Sequence, residues 1–462
     1  MIYSTRASFS GDRSISAPAS WSQLGMWRTI LKSQPYDGFM NMRFALPIPN
    51  GLTYEGIVRI LVEVVSCHEA LRTIHPTTTD GELTQVVASR GDLQLEIIEN
   101  TVDETARELL DGFASTPFKY ATEWPVRFAV LVREGQIDGL FVVLSPLAID
   151  WYAENLLKRE LASRLRGYHS TKAEGLPLRP VDRALEERSQ AGRSRNRLAV
   201  QRWSRFVDEF DVTNFPSRRG DDRAPRWTNA ILRSSEMVVA VGQLADRCQV
   251  SVPAVYHAAS AVMISALSGK DIAVMHNMGA NRFSTAEMAC MGRLTQASAA
   301  AVRVANSPFE EVIRRASVAG IRSYAMAHYS TADVDAIVDA DLFDCFHNNL
   351  FEDGVRRPTL TARSPECGPA GATSKIVDTQ TAPFSTHQFA VEVAHQGKQA
   401  EMSLLADHRY LPISDPSRLL IAMDALILRA AVDPNGTPAV VLAHETLGAQ
   451  SGRLEAGRQH IG

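Results

Sequence analysis

Chemistry is first expected at Leu144-Ser145-Pro146-Leu147-Ala148-Ile149-Asp150-Trp151. An apolar run from Leu140 to Leu144 ends there, and a helical pattern from Trp151 to Leu165 begins directly after it, with Asp150 placed to cap the helix. A strand-to-helix elbow is a common way of aiming a reactive side chain into a cleft, yet this one holds no histidine, cysteine or lysine. Ser145 is the reactive-capable group there, and a serine nucleophile needs an adjacent base and a third group to orient that base. No histidine is near it in the chain; His347, His387 and His408 are the candidates to approach in space. The plainer alternative, which we prefer, is a small residue at a strand end before proline. Pro146 has no ionisable group and cannot act as a general base in any protonation state.

The elements that must position this elbow are legible in the hydrophobic pattern. Strands are predicted over Arg43 to Ile48, Leu83 to Ala88 and Leu93 to Ile98, and a hairpin joins Val126–Arg133 to Gly139–Leu144 around Glu134-Gly135-Gln136. Helices are predicted over Gly56 to His68 and Glu104 to Phe113. From Arg166 to Gly192 the chain turns polar, with Pro177 and Pro180 and a charged helix candidate from Asp182, so the lobe boundary is placed near residues 170–190. An amphipathic helix follows, Arg197 to Phe210, and then an exposed loop, Pro216 to Pro225. Farther on, Val239 to Asp246, Val252 to Leu267, Phe309 to Tyr324 and Ile413 to Ala431 read as helices, the last starting at Ser414/Asp415, and Asp271 to Met275 as a strand. The similar mixture in both halves hints at a pseudo-symmetric pair of lobes.

At 462 residues the chain exceeds one ordinary domain. A net charge of −4 gives no electrostatic case for nucleic acid. Five scattered cysteines without CxxC spacing argue against a disulfide framework or a zinc site. With no membrane-length apolar run and no cleavable leader, the expected setting is the cytoplasm, with neither membrane nor nucleic-acid partners.

Several segments together resemble a known family. Ser20-Trp-Ser-Gln23-Leu-Gly-Met-Trp27 resembles the S-x-x-Q-x-R-L-W opening of nonribosomal peptide synthetase condensation domains, with Gly25 and Met26 replacing the usual Arg and Leu. Cys67-His68-Glu69-Ala70-Leu71-Arg72-Thr73 resembles R-H-E-A-L-R-T with its first residue changed. Phe118, Pro125 and Arg127, then Trp203 and Asn281-Arg282, support it in order, from about Ser20 to His444. The resemblance implies an α/β (α+β) fold of two chloramphenicol-acetyltransferase-like lobes forming a V around an interlobe tunnel. The lobes would be residues 1–175 and 176–447, followed by a polar, loosely held tail, 448–462. With no adenylation or carrier domain in the sequence, a freestanding member is expected.

The family's H-H-x-x-x-D-G motif then falls on Ser145 to Trp151, both histidines being replaced by Ser145 and Pro146 and the glycine by Trp151. Asp150 survives, and the resemblance pairs it with Arg282 as a structural clamp. Trp151 would wall or plug the tunnel, or pack in the core, and the Tyr152 phenol could donate to a substrate carbonyl or simply be a core tyrosine. Gln23 and Asn348 are further tunnel-lining candidates. His276 and His347 are the candidate replacement bases, each weighed against an ordinary buried imidazole; His68 is read as structural. Arg188, Arg193, Arg195 and Arg197 form a basic run, either a solvated helix face or a dock for an acidic carrier protein.

Two functions compete. One is an acyl- or aminoacyl-transferring enzyme joining a carrier-bound group to an amine or alcohol. It would bind no cofactor directly and use the phosphopantetheine of an acyl- or peptidyl-carrier protein acting in trans. The other is a catalytically silent scaffold that recruits a carrier protein or tailoring enzyme. A third, cyclisation or dehydration chemistry, is the weaker candidate.

Overall fold

The computed structural model describes residues 2–99, 103–168, 177–218, 225–350, 374–396, 399–413, 415–432 and 436–458. Ser414, Cys367 and most of the Pro216–Pro225 loop lie outside them. The chain forms two compact units, Met1–Arg197 with Ala280–Gln296 and His328–Thr331, and Leu198–Gly279 with Ala297–Ala327 and Ala332–Gly462. A single cut after residue 175 would give 280–296 and 328–331 to the second lobe; by contact they belong to the first.

The first unit contains, in chain order, β1 (Ile2–Ser10), β2 (Ile15–Pro18), α1 (Trp21–Ser33), β3 (Met42–Pro47), α2 (Tyr54–Cys67), β4 (Thr73–Ile74), β5 (Thr84–Val87), β6 (Arg90–Glu99) and α3 (Asp103–Ser115). The hairpin β7 (Val126–Arg133) and β8 (Gln136–Leu144) follows, then α4 (Trp151–Leu165) and α5 (Pro180–Glu187). Helix α6 (Gln190–Glu209) runs on into the second unit. The main sheet has the order β1-β6-β7-β8-β3, and β2-β5-β4 form a second, smaller one. Glu134 and Gly135 take φ of 50° and 75°, the two left-handed positions a tight hairpin turn demands, and Arg133 pairs with Gln136 across it.

Helix α4 carries Ala153, Leu157, Leu161 and Leu165 at a spacing of four, all nearly fully buried. They meet Ile57, Leu61 and Val64 of α2 and Phe128, Val130, Leu140 and Val142 of the sheet in one core. That core fixes where β8 ends and α4 begins, and so where the elbow sits. Helix α1 starts with a capping box, Ser20 Oγ accepting from the Gln23 N–H and Gln23 Oε1 from the Ser20 N–H. Within α1, a Cβ added at Gly25 would meet only Thr331 Oγ1, at an ordinary 3.5 Å. Gly25→Ala is therefore expected to stabilise the protein by about 0.5–1 kcal/mol, read as a rise in urea midpoint.

The second unit contains β9 (Trp227–Ser234), α7 (Glu236–Cys248), α8 (Val252–Ser268) and β10 (Ile272–Gly279); after α9 (Thr285–Met288) of the first unit come β11 (Gln296–Arg303), α10 (Phe309–Tyr324) and α11 (Thr331–Asp335). Strands β12 (Cys345–Leu350), β13 (Lys375–Ala382), β14 (Phe389–Gln396) and β15 (Gln399–Asp407) precede α12 (Pro416–Val432) and α13 (Ala439–Arg458). Its sheet runs β11-β10-β12-β14-β15-β9-β13. Ala230, Leu232, Val391, Val393, Met402 and Leu404 are fully buried in one core with residues of α7, α8 and α12. The alternate residues Ile231, Asn348, Glu392 and Ser403 lie on the other face, half-exposed.

Helix α13 continues to Arg458, its first turns anchored by buried Ala439, Leu442 and Ala443. At the start of α12, Asp415 Oδ1 accepts from the Ser417 N–H at 2.9 Å. No single helix among the described residues is long and apolar enough to cross a membrane.

Candidate active site

The elbow is a buried turn whose polar atoms are occupied. The Ser145 carbonyl accepts from the N–H groups of Ala148 and Ile149, both at 3.2 Å, and its own N–H donates to the Pro125 carbonyl at 2.9 Å. Its hydroxyl oxygen accepts from the Leu147 N–H at 3.3 Å. Among the described residues no histidine or carboxylate is hydrogen-bonded to that hydroxyl. Ser145→Ala is therefore expected to leave any turnover within about threefold and to cost on the order of 1 kcal/mol, the worth of one buried neutral hydrogen bond, in a denaturation curve.

Asp150 is the hub. Its Oδ1 caps α4 by accepting from the Ala153 N–H at 2.9 Å and also accepts from Arg282 Nη2 at 2.9 Å. Its Oδ2 accepts from Arg282 Nη1 at 2.8 Å, the Leu294 N–H at 2.9 Å, the Thr295 N–H at 3.1 Å and Thr295 Oγ1 at 2.8 Å. Both side chains of the ion pair are at most 3% exposed. Burial alone would raise the carboxyl, but the Arg282 guanidinium and the two backbone N–H groups outweigh it and hold it at about 2. Arg282 also donates to the carbonyls of Ala280 and Gly292 and lies over the Tyr152 ring at 4.4 Å.

A second arginine completes the clasp and was not singled out in the sequence. Arg293 donates from its backbone to the Ala148 carbonyl at 2.9 Å and from its guanidinium to Pro146 O at 3.0 Å and Ser22 O at 3.3 Å. Ser22 Oγ returns a bond to Arg293 O at 3.0 Å. Burial pulls this guanidinium down to about 10. No spacing rule links residues 22, 146 and 293, so its only available signal was the nearby Arg282.

Gln23, expected on a tunnel wall, is instead 1% exposed; beyond its capping box it bonds His75 Nε2 at 3.1 Å. Trp151 opens α4 half-buried, its carbonyl accepting from Asn155 Nδ2 at 3.0 Å. His68 bonds Glu160 at 2.7 Å, a structural partner. In the basic run, Arg188 donates to the carbonyls of Ala184 and Ala19, Arg193 to Arg188 O, Arg195 pairs with Glu186, and Arg197 donates to Ser194.

The candidate histidines lie in the second unit. His276 stacks on Phe343 with centroids 4.0 Å apart, and the rings of Trp203 and His387 meet it edge-on. His347 is buried with Nδ1 2.9 Å from Ser260 Oγ and Nε2 3.0 Å from Asn349 Nδ2. Both ring nitrogens are thus taken up by neighbours within the same unit, Ser260 and Asn349. Burial and the stacked His257 ring push His347 well below the usual imidazole value. Asn348 points to the other sheet face and donates to Glu392 Oε1 at 3.2 Å. His387 stacks on Phe346, and His408 Nδ1 bonds Arg226 O.

The model of the condensation-domain family matches residues 15–331, well over half of the chain. The chain belongs to the condensation-domain family. This condensation domain is 24% identical over 331 residues to phosphinothricin tripeptide synthetase PhsB of Streptomyces viridochromogenes, covering 68% of this chain and 27% of that one. It is 29% identical over 188 residues to the isonitrile lipopeptide synthase of Mycobacterium tuberculosis, covering 39% of this chain and 7% of that one. The chain thus spans only a small part of these relatives. Its fold is that of the condensation domain from the monacolin K polyketide synthase MokA, with TM-score 0.75, 14% identity, and 92% and 99% of the two chains covered. It is also like the X-domain solved in complex with OxyB from teicoplanin biosynthesis, with TM-score 0.68, 17% identity, and 93% and 96% covered.

Proposed function

We propose that this condensation domain joins a carrier-bound acyl or aminoacyl group to an amine or alcohol in natural-product biosynthesis, without a motif histidine. The observation that carries this is the fully built elbow. Asp150 keeps six donors and Arg293 clasps the turn, although the residues they would position, the histidines, are replaced by Ser145 and Pro146. A carrier thioester is already activated, and holding two reactants in line supplies about 7–11 kcal/mol of a barrier at best, whereas a general base adds about 10²–10⁴ in rate. Positioning therefore outweighs the missing base. The donor would arrive on the phosphopantetheine of an acyl- or peptidyl-carrier protein acting in trans, with a small-molecule acceptor, in the cytoplasm.

The alternative, a silent scaffold that recruits a carrier protein or tailoring enzyme, is favoured by one observation: the Ser145 hydroxyl and the His347 ring both have structural partners. Incubation with acyl-loaded carrier protein and a panel of amines and alcohols decides between them. Condensed product detected by mass spectrometry supports the enzyme. Carrier or oxygenase binding without product under any loading supports the scaffold.

A further inference from the structure

Where the end of β1 and the start of β6 meet α2, the first unit has a cleft of about 740 Å³, within the range of small-ligand pockets. None of its lining residues belongs to the elbow. Its apolar part is Phe9, 3% exposed, with half-buried Val62 from α2. Trp124 meets the Phe9 ring edge-on at 5.3 Å and donates from Nε1 to the Asp92 carbonyl at 3.0 Å. A Cβ at Gly91, across from Phe9, would lie 2.6 Å from the Trp124 ring and 2.7 Å from the Phe9 ring, so glycine there lets both rings pack.

The polar part carries two opposite charges. Register sets Arg90 across from Ser10 and Asp92 across from Ser8. Ser8 Oγ donates to Asp92 Oδ1 at 2.8 Å, and the Ser10 N–H donates to Ser66 Oγ of α2 at 3.3 Å. Among the described residues no carboxylate pairs with Arg90, no cation pairs with Asp92, and the two do not pair with each other. Two positions apart on one strand, they stand on the same face with Cα atoms roughly 7 Å apart. A ligand of single charge is drawn to one of them and repelled by the other. A ligand with both charges satisfies both. Two residues of extended chain span roughly 7 Å, so the charged ends of a dipeptide match this spacing.

We infer that this cleft binds a zwitterionic dipeptide. Arg90 takes the terminal carboxylate and Asp92 the terminal ammonium. Phe9 and Val62 take an apolar side chain, and the Ser10 and Ser66 hydroxyls face the peptide group between the two ends. The planar guanidinium suits a carboxylate, and both end contacts are charge-assisted. Binding here requires no chemistry at the elbow.

The test is a ligand-observed NMR titration of the whole chain with L-alanyl-L-leucine at pH 7. Two blocked forms complete it: N-acetyl-L-alanyl-L-leucine, without the ammonium, and L-alanyl-L-leucine amide, without the carboxylate. The free dipeptide is expected to bind, and each blocked form to bind about tenfold more weakly, the worth of one charge-assisted hydrogen bond. L-Leucine, whose two charges flank a single carbon, should be weaker by a similar factor. Arg90→Gln is expected to weaken the free dipeptide about tenfold and to leave the amide unchanged. Asp92→Asn is expected to weaken the free dipeptide equally and to leave the N-acetyl form unchanged. Both side chains are exposed, so the variants should keep the wild-type circular dichroism and urea midpoint. No binding of the free dipeptide, equal binding of a blocked form or of leucine, or the same loss for every ligand in a variant would overturn the site.

Discussion

Asp150→Asn is expected to lower the free energy of unfolding by about 3–5 kcal/mol, because it leaves the buried Arg282 guanidinium without its counter-charge. Equilibrium urea unfolding measures this directly. Removing both partners, as in Asp150→Leu with Arg282→Met, is expected to cost less than the sum of the single changes, since no lone charge is left buried. The clamp also carries a pH signature. The folded carboxyl lies at about 2, below its ordinary 3.8, so its contribution is present in full above about pH 4 and is lost as pH falls through 2. That contribution is on the order of 2 kcal/mol, and Asp150→Asn should abolish this part of the acid sensitivity. A cost under 1 kcal/mol would mean that Asp150 is not the hub of the elbow.

Glu69→Ala is expected to cost about 2–3 kcal/mol, the lower end for a buried ion pair because its arginines keep part of their water. Glu69 is 2% exposed, and both Arg13 and Arg179 pair with it while about one third exposed. The same network ties Arg13 to Asp182 and Arg179 to Asp12, and the fully buried Arg72 bonds Asp12 and the carbonyls of Arg13 and Ala88. It thus joins the loop after β1, the turn after α2 and the start of α5. Glu69→Gln keeps the shape and should cost less than Glu69→Ala. Thermal unfolding of the two variants separates charge from packing, and equal shifts would argue against an ionic role.

Legibility in the sequence tracked the range of the forces involved. Helix α4 and strand β7 were read with their observed bounds, because a repeat of four or of two residues is a local property. Strands β13, β14 and β15 were not read. Their half-exposed face puts polar residues such as Asp378, Glu392 and Ser403 into mid-strand, and the sheet is closed by partners far away in the chain. The Asp150–Arg282 pair was expected through the family resemblance alone, and the two residues are 132 positions apart. Arg293 and Glu392 had no such guide.

By itself the sequence determined that the elbow lacks a base, since Pro146 cannot hold or move a proton in any conformation. It also determined the succession of strand, buried turn and helix, and the opening and second motifs that mark the family. Only the tertiary structure decided what the surviving polar groups do. It gave the Ser145 hydroxyl to the Leu147 N–H, stacked His276 on Phe343 and buried His347 between Ser260 and Asn349. It also set Glu392 beside Asn348 on the half-exposed face of a sheet. The reason is physical: local pattern fixes which face of an element is apolar, but the partner of a polar atom depends on which distant strand or loop lies across from it.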